Sequence, residues 1–187
     1  GSAVSEEVKL TVVQPVVILE QPEGATKLLG QAQTLSVVAS GSEPLVYQWS
    51  KDGQAIEGAN AKELVFESLS TSDAASYSVS ISNEAGEVVS DPVTITVHVP
   101  ITITQQPEQA RVIEGETATF TVVATGTEPI EYEWRFNSQV IEGASGPVLT
   151  VANASKANEG SYQVVMKNPA GSAVSEEVKL TVVQPVV

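Results

Sequence analysis

The sequence contains no cysteine and only one histidine, His98. The first absence excludes disulfides, thiolate metal sites and a cysteine nucleophile. A single histidine with no second histidine or cysteine cannot build a transition-metal site, and no general base is positioned for a serine nucleophile. We therefore expect no enzyme activity, no catalytic residue, no cofactor site and no metal site, and we interpret His98 as an ordinary side chain between two repeats.

Basic residues are also scarce, with 9 Lys and Arg against 23 Asp and Glu and a net charge of −14. A chain this acidic repels phosphate backbones and anionic lipids, so neither nucleic acid nor a membrane surface is an expected partner. Calcium is a minor alternative, because its sites need several oxygen ligands close together. The only aspartates, Asp52, Asp73 and Asp91, are far apart.

No apolar run approaches eighteen residues, so no membrane-spanning helix is expected. Two pairs of adjacent glutamates, Glu6–Glu7 and Glu176–Glu177, resemble an acid–base pair. We expect the two members of each pair to be adjacent on a strand and therefore to point to opposite faces, so we interpret them as solvated edge residues. The letters "NAS" at 153–155 form an acceptor motif for N-glycosylation, a motif that is common by chance.

The chain aligns on itself without a gap after a shift of 85 residues, with roughly two-fifths of the positions identical. A longer period is superimposed: residues 1–17 are identical to 171–187, whereas 86–102 match them at only seven of seventeen positions. This pattern indicates a parent of alternating A and B repeats. We divide the chain into a last strand of a preceding repeat (1–14), two domains (15–99 and 100–184) and the start of another repeat (185–187).

Within each repeat, short runs of alternating apolar and polar residues are separated by Gly, Pro, Asn or Ser, which predicts an all-β sandwich. The predicted strands are 34–40, 45–51, 63–69, 75–83 and 86–97, with their counterparts 119–125, 130–136, 148–154, 160–168 and 171–182.

These residues resemble the intermediate set of immunoglobulin domains. Trp49 and Trp134 match the core tryptophan of that family, and Tyr77 and Tyr162 match its corner tyrosine. The stretch "LSTSDAASY" matches the approach to the corner, while the second copy has Asn158 instead of the aspartate. The two cysteine positions of the family carry valine in both repeats: Val37, Val79, Val122 and Val164. Cysteine-free repeats of this kind look like those of large bacterial surface or secreted proteins.

The connections between repeats are short. Around Pro100 ("TVHVPITI") and Pro15 ("TVVQPVVI") one strand runs into the next repeat, and proline stiffens such a joint. We expect tandem sandwiches in a head-to-tail rod, acting as a spacer in an extracellular bacterial stalk or filament whose partners are its own neighbouring repeats. The alternative is an adhesin-type module that binds a carbohydrate or protein, for which Phe136 and Phe66 are the only loop-like aromatics.

The first segment raises a further possibility. Residues 1–13 could exchange with the identical strand of another chain and cause self-association. In "VKLTV" the alternation places Val8, Leu10 and Val12 towards a core and Lys9 outside. Some bacterial immunoglobulin-like domains carry a Lys–Asn cross-link in the core, and this outward orientation of Lys9 and its copy Lys179 argues against one.

Overall fold

The computed structural model describes residues 6–185 of the chain. It divides into two compact units, with the boundary between Val97 and His98. Each unit is a β-sandwich, and the only helical elements described are two single 3-10 turns, Thr71–Asp73 and Lys156–Asn158. The all-β fold with two tandem immunoglobulin-like units is as predicted.

The part of the first unit that the structure describes has ten strands. They are β1 (Val17–Glu20), β2 (Ala25–Leu28), β3 (Gln33–Ser36), β4 (Val38–Ser40), β5 (Val46–Lys51), β6 (Gln54–Ala55), β7 (Glu63–Phe66), β8 (Ala75–Asn83), β9 (Gly86–Val89) and β10 (Val93–His98). One sheet has the order β2-β10-β8-β5-β6, with β9 also paired to β8. The other strands form the pairs β1–β4 and β3–β7.

The second unit repeats this plan. Its strands are β11 (Thr102–Gln105), β12 (Ala110–Ile113), β13 (Ala118–Thr121), β14 (Val123–Thr125), β15 (Glu131–Phe136), β16 (Gln139–Val140), β17 (Val148–Val151), β18 (Gly160–Asn168), β19 (Gly171–Val174) and β20 (Val178–Val183). The main sheet has the order β12-β20-β18-β15-β16, and β12 pairs with β20 in parallel. Both other pairs recur, as β11–β14 and β13–β17.

Each unit has its own core, built from the inward-facing residues of alternating strands. The central strands show this most clearly: Tyr77, Val79 and Ile81 are buried on β8, as are Tyr162, Val164 and Met166 on β18. Trp49 and Trp134 are fully buried, each in its own unit's cluster. The four valines at the cysteine positions of the family are also buried: Val37, Val79, Val122 and Val164. Aliphatic packing therefore takes the place of the missing disulfide around each tryptophan.

Four predicted strands are interrupted in the structure, and one of them is 119–125, which is divided into β13 and β14 at Val122. The strand at 34–40 is divided into β3 and β4 at Val37, whose N–H donates to the Lys62 carbonyl. The predicted last strand at 86–97 is broken after β9, and its copy at 171–182 is broken after β19. The prediction that Glu176 and Glu177 lie on a strand is therefore wrong, because both are exposed in the break between β19 and β20.

Residues 6–13, the described part of the predicted first strand, belong to no strand, and residues 1–5 lie outside the described residues. Pairing of this segment with another strand stays a prediction. Within residues 6–185 we find no helix of the length and apolarity that crossing a bilayer requires.

Candidate functional site

The tryptophan environment is the same in both units. The indole Nε1 of Trp49 donates to the Ala61 carbonyl at 2.9 Å, and Trp134 donates to Gly146 at 2.9 Å. A buried indole needs such a partner, because an unpaired N–H in an apolar core is costly. Each tryptophan is therefore held by apolar packing of its ring and by one hydrogen bond from its indole N–H. It supplies no reactive group.

The corner tyrosines make the contact that the resemblance implies. The hydroxyl of Tyr77 donates to the Asp73 carbonyl at 2.9 Å, and that of Tyr162 donates to the Asn158 carbonyl at 2.9 Å. Burial raises the pKa of Tyr77 to about 12, with smaller contributions from the charges of Asp73 and Asp52. Burial also raises the pKa of Tyr162. Both phenols remain neutral hydrogen-bond donors, which is a structural role.

A capping box precedes each tyrosine. The Asp73 carboxylate accepts from the Ser70 hydroxyl at 2.6 Å and from the Ser70 N–H at 2.8 Å. The Ser70 hydroxyl is the main reason why the pKa of Asp73 is lowered, opposed by partial burial and aided by the Ser70 N–H and Lys51. In the second unit Asn158 makes the same two contacts with Ser155, without a charge.

A joint anchor, which sequence reasoning missed, holds the chain where it enters each unit. The Gln14 N–H donates to Ser42 Oγ at 2.8 Å, and Asn83 Nδ2 donates to the carbonyls of Gln14 and Ser42 at 2.8 and 3.0 Å. A glycine is favoured beside it, because a Cβ on Gly41 would lie only 3.2 Å from Asn83 Nδ2 and 3.1 Å from the Pro15 carbonyl oxygen, and these neighbours would have to shift. The backbone and the amide therefore approach closely.

The second unit repeats the joint anchor 85 residues later. The Val99 N–H donates to Thr127 Oγ1 at 2.7 Å, and Asn168 Nδ2 donates to the carbonyls of Val99 and Thr127, both at 3.0 Å. The signal in the sequence was the recurrence of Asn83 as Asn168 directly before the turns "NEAG" and "NPAG". That recurrence alone does not show where the amide points.

The structure does not support loop positions for the two phenylalanines. The ring of Phe66, at the end of β7, packs edge-on against Tyr77 with centroids 5.4 Å apart. The ring of Phe136, at the end of β15, lies 4.9 Å from Tyr162. Both rings contribute to the edge of a core, so neither supplies the exposed loop aromatic that an adhesin-type site would favour.

The other candidate residues are dispersed. The aspartates serve separate local contacts, for example Asp52 Oδ1, which accepts the Ser76 N–H at 3.0 Å. Within residues 6–185 no three acidic or histidine side chains gather as a cation site would require. His98 is the last residue of β10 and is partly exposed, while its Nδ1 is buried without a hydrogen-bond partner. Asn153 is exposed in a left-handed turn, and Lys9 and Lys179 are both exposed.

The segment at residues 6–13 exposes the side chains that its copy buries. Val8, Leu10 and Val12 are 94%, 87% and 77% exposed. Their counterparts in β20 lie in the core of the second unit: Val178 is 9%, Leu180 2% and Val182 2% exposed. This apolar row is the largest contrast between the two identical stretches, and we call residues 6–13 the free segment.

Comparison with known protein families gives one match in each unit. The model of the immunoglobulin I-set domain matches residues 16–99 and again residues 101–182. The two matched ranges together span nearly the whole described chain.

Several curated proteins are similar to this chain. The muscle M-line assembly protein unc-89 of Caenorhabditis elegans is 30% identical over 190 residues, which are 90% of this chain and 2% of that protein. The SPEG neighbor protein of Homo sapiens is 26% identical over 176 residues, or 84% of this chain and 74% of that protein. Endoglucanase C of the bacterium Cellulomonas fimi is 36% identical over 84 residues, or 43% of this chain and 8% of that protein.

This chain thus corresponds to a small part of the first relative and of the endoglucanase. Most of the similar proteins come from animals, so they do not confirm the predicted bacterial host. Among solved structures, the four N-terminal immunoglobulin domains of Dscam1 align with a TM-score of 0.75 at 22% identity, over 94% of this chain and 48% of that one. A three-domain titin fragment aligns with a TM-score of 0.69 at 23% identity, over 93% of this chain and 68% of the titin fragment.

Proposed function

The chain belongs to the immunoglobulin I-set family, and from this premise we propose that it is a repeat unit of a long extracellular stalk or filament. It acts by reach and spacing and catalyses no reaction. The observation that carries the proposal is the repeated joint anchor, in which the entering backbone is held by Asn83 in one unit and by Asn168 in the other. A spacer needs each unit fixed to the chain that enters it, and this arrangement provides that.

The short connection also supports a spacer. β10 ends at His98 and β11 begins at Thr102, so only three residues separate the two strands. One of the three is Pro100, which restricts the backbone. We propose the domain boundaries 15–99 and 100–184 on this basis, with the neighbouring repeats of the parent protein as partners.

A bacterial cell-surface or secreted location is part of the proposal. Its supports are the absence of cysteine from the whole chain and the 36% identity of one repeat to a stretch of the Cellulomonas fimi endoglucanase C. The net charge of −14 keeps neighbouring copies soluble and apart, as a densely displayed surface protein requires.

The parallel pair β12–β20 suggests how a unit resists tension. The chain enters the second unit before β12 and leaves it after β20, and the two strands are paired from Ala110–Leu180 to Ile113–Val183. Tension at the ends pulls parallel strands in opposite directions, so all the hydrogen bonds between them are loaded together. Such a pair yields in one cooperative step.

Single-molecule extension of the whole chain tests this proposal. We expect two separate unfolding events, each releasing roughly 280 Å of extended chain less the folded length. The variant Arg111→Cys/Thr181→Cys joins two residues that are partners in the β12–β20 register. Once the disulfide has formed, the unfolding event of the second unit should release a shorter length of chain, while the event of the first unit should be unchanged. A reductant should restore the full length in the second unit. A chain that extends without discrete events would overturn the spacer proposal.

A second candidate function, adhesion through a strand face, is favoured by the outer side of β8. Because Tyr77, Val79 and Ile81 of this strand face the core, its serines face outward: Ser76, Ser78, Ser80 and Ser82. Beside them, Val46 pairs with Ser82 and Val89 with Ser80, and both valines are more than half exposed. We call these serines and valines the serine face; they are uncharged in a molecule with a net charge of −14, and Ser82 also pairs with Glu87.

Glycan arrays and pull-downs with the intact chain test the adhesion candidate. A ligand of the serine face should be lost in Ser80→Arg, which places a large charge among the exposed valines. The control Gln163→Arg adds the same charge to the outward side of β18 in the second unit, where Gln163 is the counterpart of Ser78 at the shift of 85 residues. If no ligand is retained by the unmodified chain, or if both variants lose it equally, the candidate is rejected.

A further inference from the structure

The two units differ at one edge of the sandwich. The alternation of β2 directs Lys27 towards the space between the sheets, and Gln33 of β3 lies on the same side as the buried Leu35. The corresponding residues of the second unit are Val112 and Ala118, which belong to its core or pack against it. The first unit therefore has two polar side chains at positions that the second unit fills with apolar ones.

These polar side chains line a cleft, which we call the β3 cleft. It has a volume of about 790 Å³ and lies between β3 and the crossover that leads from β1 to β2. Two exposed carboxylates, those of Glu20 and Glu23, also line it. The crossover is held in place by Gln21, whose Oε1 accepts the Asp91 N–H at 3.0 Å. Both the volume and the convergent polar groups are typical of a ligand site.

Lys27 has no ionic partner that would explain its position. The ion pairs among residues 6–185 are Arg135–Glu133 and Lys156–Glu159, so Lys27 belongs to none of them. Half-burial of an unpaired ammonium group costs solvation free energy that a valine at the same position would not cost. A residue that opposes stability in one repeat and is replaced by an apolar one in the next is a mark of a functional position.

The edge of β3 supplies the second part of the site. The Val37 N–H donates to the carbonyl of Lys62, directly before β7, and alternate residues of a strand direct their backbone groups to opposite sides. The backbone groups of Thr34 and Ser36 therefore face away from β7, and both residues line the cleft. Within residues 6–185 no strand pairs with β3 on this side, since β1 pairs with β4 instead. The Thr34 carbonyl accepts from Gln33 Nε2 at 2.9 Å, so a side chain takes the place of a neighbouring strand.

We propose that the β3 cleft binds a short extended peptide, which adds to the edge of β3 in the antiparallel direction. The two peptide residues aligned with Thr34 and Ser36 exchange backbone hydrogen bonds with them, and the residue between these two points to the inner side of the sheet. An acidic side chain at that inner position meets Lys27, while basic side chains on the outer side meet Glu20 and Glu23. The partner is therefore an extended segment with one acidic residue between two basic ones, and its binding does not depend on the spacer role.

A peptide suits this cleft better than a sugar does. The backbone donors and acceptors of an unpaired strand edge have the spacing of another strand, which a peptide matches along its whole length. Residues 20–36, which contain the whole lining, include no aromatic side chain on which a sugar ring would stack. The net charge of −14 also attracts a peptide whose outer residues are basic.

NMR titration of the intact chain with the capped pentapeptide acetyl-TKEKT-amide tests the proposal. We expect saturable shifts of the Thr34 and Ser36 amide signals, and none for their counterparts Thr119 and Thr121 in the second unit. The peptide acetyl-TKQKT-amide should bind at least about tenfold more weakly, because it lacks the carboxylate that meets Lys27. Methylation of the backbone nitrogen of both lysines keeps the charge of the peptide but should abolish binding.

A matched pair of variants separates the role of Lys27 from that of net charge. Lys27→Val introduces the residue of the second unit, so it should weaken binding of acetyl-TKEKT-amide by at least about tenfold. The urea midpoint of the first unit should stay the same or rise. Lys62→Val removes the same charge outside the lining of the cleft and should retain binding.

Four results would overturn the proposal. They are no shift of Thr34 and Ser36 with acetyl-TKEKT-amide, equal binding of the N-methylated peptide, equal loss of binding in Lys27→Val and Lys62→Val, and a lower urea midpoint in Lys27→Val, which would make the lysine structural. A parallel titration with cellotetraose tests the sugar alternative. If cellotetraose shifts the Thr34 and Ser36 signals and the peptide does not, the cleft is a carbohydrate site and the peptide proposal is wrong.

Discussion

At the scale of single residues, the two units contain a natural comparison in their capping boxes. Asp73 and Asn158 make the same contacts to a serine N–H and hydroxyl, but only Asp73 carries a charge. Because hydrogen bonds lower the pKa of Asp73, its contribution to stability is complete above the unfolded value of 3.8. That contribution is lost as the pH falls through the lowered value, which is the usual origin of acid destabilisation.

The variant Asp73→Asn should therefore remove this acid sensitivity from the first unit. We expect a loss of about 1 kcal/mol or less at pH 7, where a neutral contact replaces a charge-assisted one, and no loss at pH 2. The amide signals of Val79 and Val164 during urea unfolding report the two units separately. The reverse change, Asn158→Asp, should introduce the sensitivity into the second unit. If the stability of the first unit depends on pH in the same way in Asp73→Asn and in the unmodified chain, Asp73 is not the source of the acid sensitivity.

The corner tyrosine should make the first unit sensitive to alkali. Burial, aided by two nearby carboxylates, raises the pKa of Tyr77 from 10.0 to about 12. The folded unit thus favours the neutral phenol, and its stabilising contribution is present below pH 10 and is lost as the pH rises towards 12. Tyr77→Phe should cost about 0.5–1.5 kcal/mol at neutral pH through the lost hydrogen bond. It should also flatten the stability profile between pH 10 and 12, which urea titrations at several pH values would show.

Single-residue predictions from the sequence succeeded where the family pattern specifies both type and spacing. The buried tryptophans, the corner tyrosines and the valines at the cysteine positions all lie where the resemblance implied. The joint anchor was missed because an asparagine before a turn is also explained by the turn itself. Only the coordinates show that the Asn83 amide reaches back 69 residues to Gln14.

At the scale of elements, the break between β9 and β10 has a specific cause. The buried hydroxyl of Ser90 accepts the Val79 N–H at 3.0 Å and donates to the Asp91 carbonyl at 3.1 Å. A side chain therefore replaces one hydrogen bond of the strand ladder, and the edge strand bends at this point. Ser175 makes the same pair of contacts in the second unit, with Val164 and Glu176.

Ser90→Ala should destabilise the first unit by about 1–3 kcal/mol, because the Val79 N–H would remain buried without a partner. Urea unfolding followed at the amides of β8 measures this loss. The matched change Ser175→Ala should have the same effect on β18, and the exposed Ser172→Ala should have almost none. If Ser90→Ala unfolds at the same urea concentration as the unmodified chain, the hydroxyl does not maintain the break.

The sequence could predict most strands, but not where they are interrupted. Alternation continues through the sequence of β9 and β10, so periodicity alone gives one long strand from 86 to 97. The interruption depends on a polar side chain turning inward, and a serine at such a position has the same pattern as any outward-facing serine. The free segment is the opposite case, because its alternation is strand-like although the structure gives it no partner strand.

At the scale of the whole molecule, the chain provides one optical probe for each unit. Trp49 belongs only to the first core cluster and Trp134 only to the second. All members of each core cluster belong to that unit itself, so we expect a change in one core to act on the stability of its own unit.

Trp49→Phe should therefore weaken the first unit alone. The change leaves a cavity and removes the indole N–H that donates to the Ala61 carbonyl. We therefore expect the free energy of unfolding of the first unit to fall by about 1–3 kcal/mol. Trp134 then becomes the only tryptophan, and its fluorescence should report an unchanged urea midpoint while the amide signal of Val79 disappears earlier. The reciprocal variant Trp134→Phe should show the reverse. If the midpoint of Trp134 moves together with that of Val79, the two units unfold as one block, and a repeat of 170 residues rather than 85 is the unit of stability.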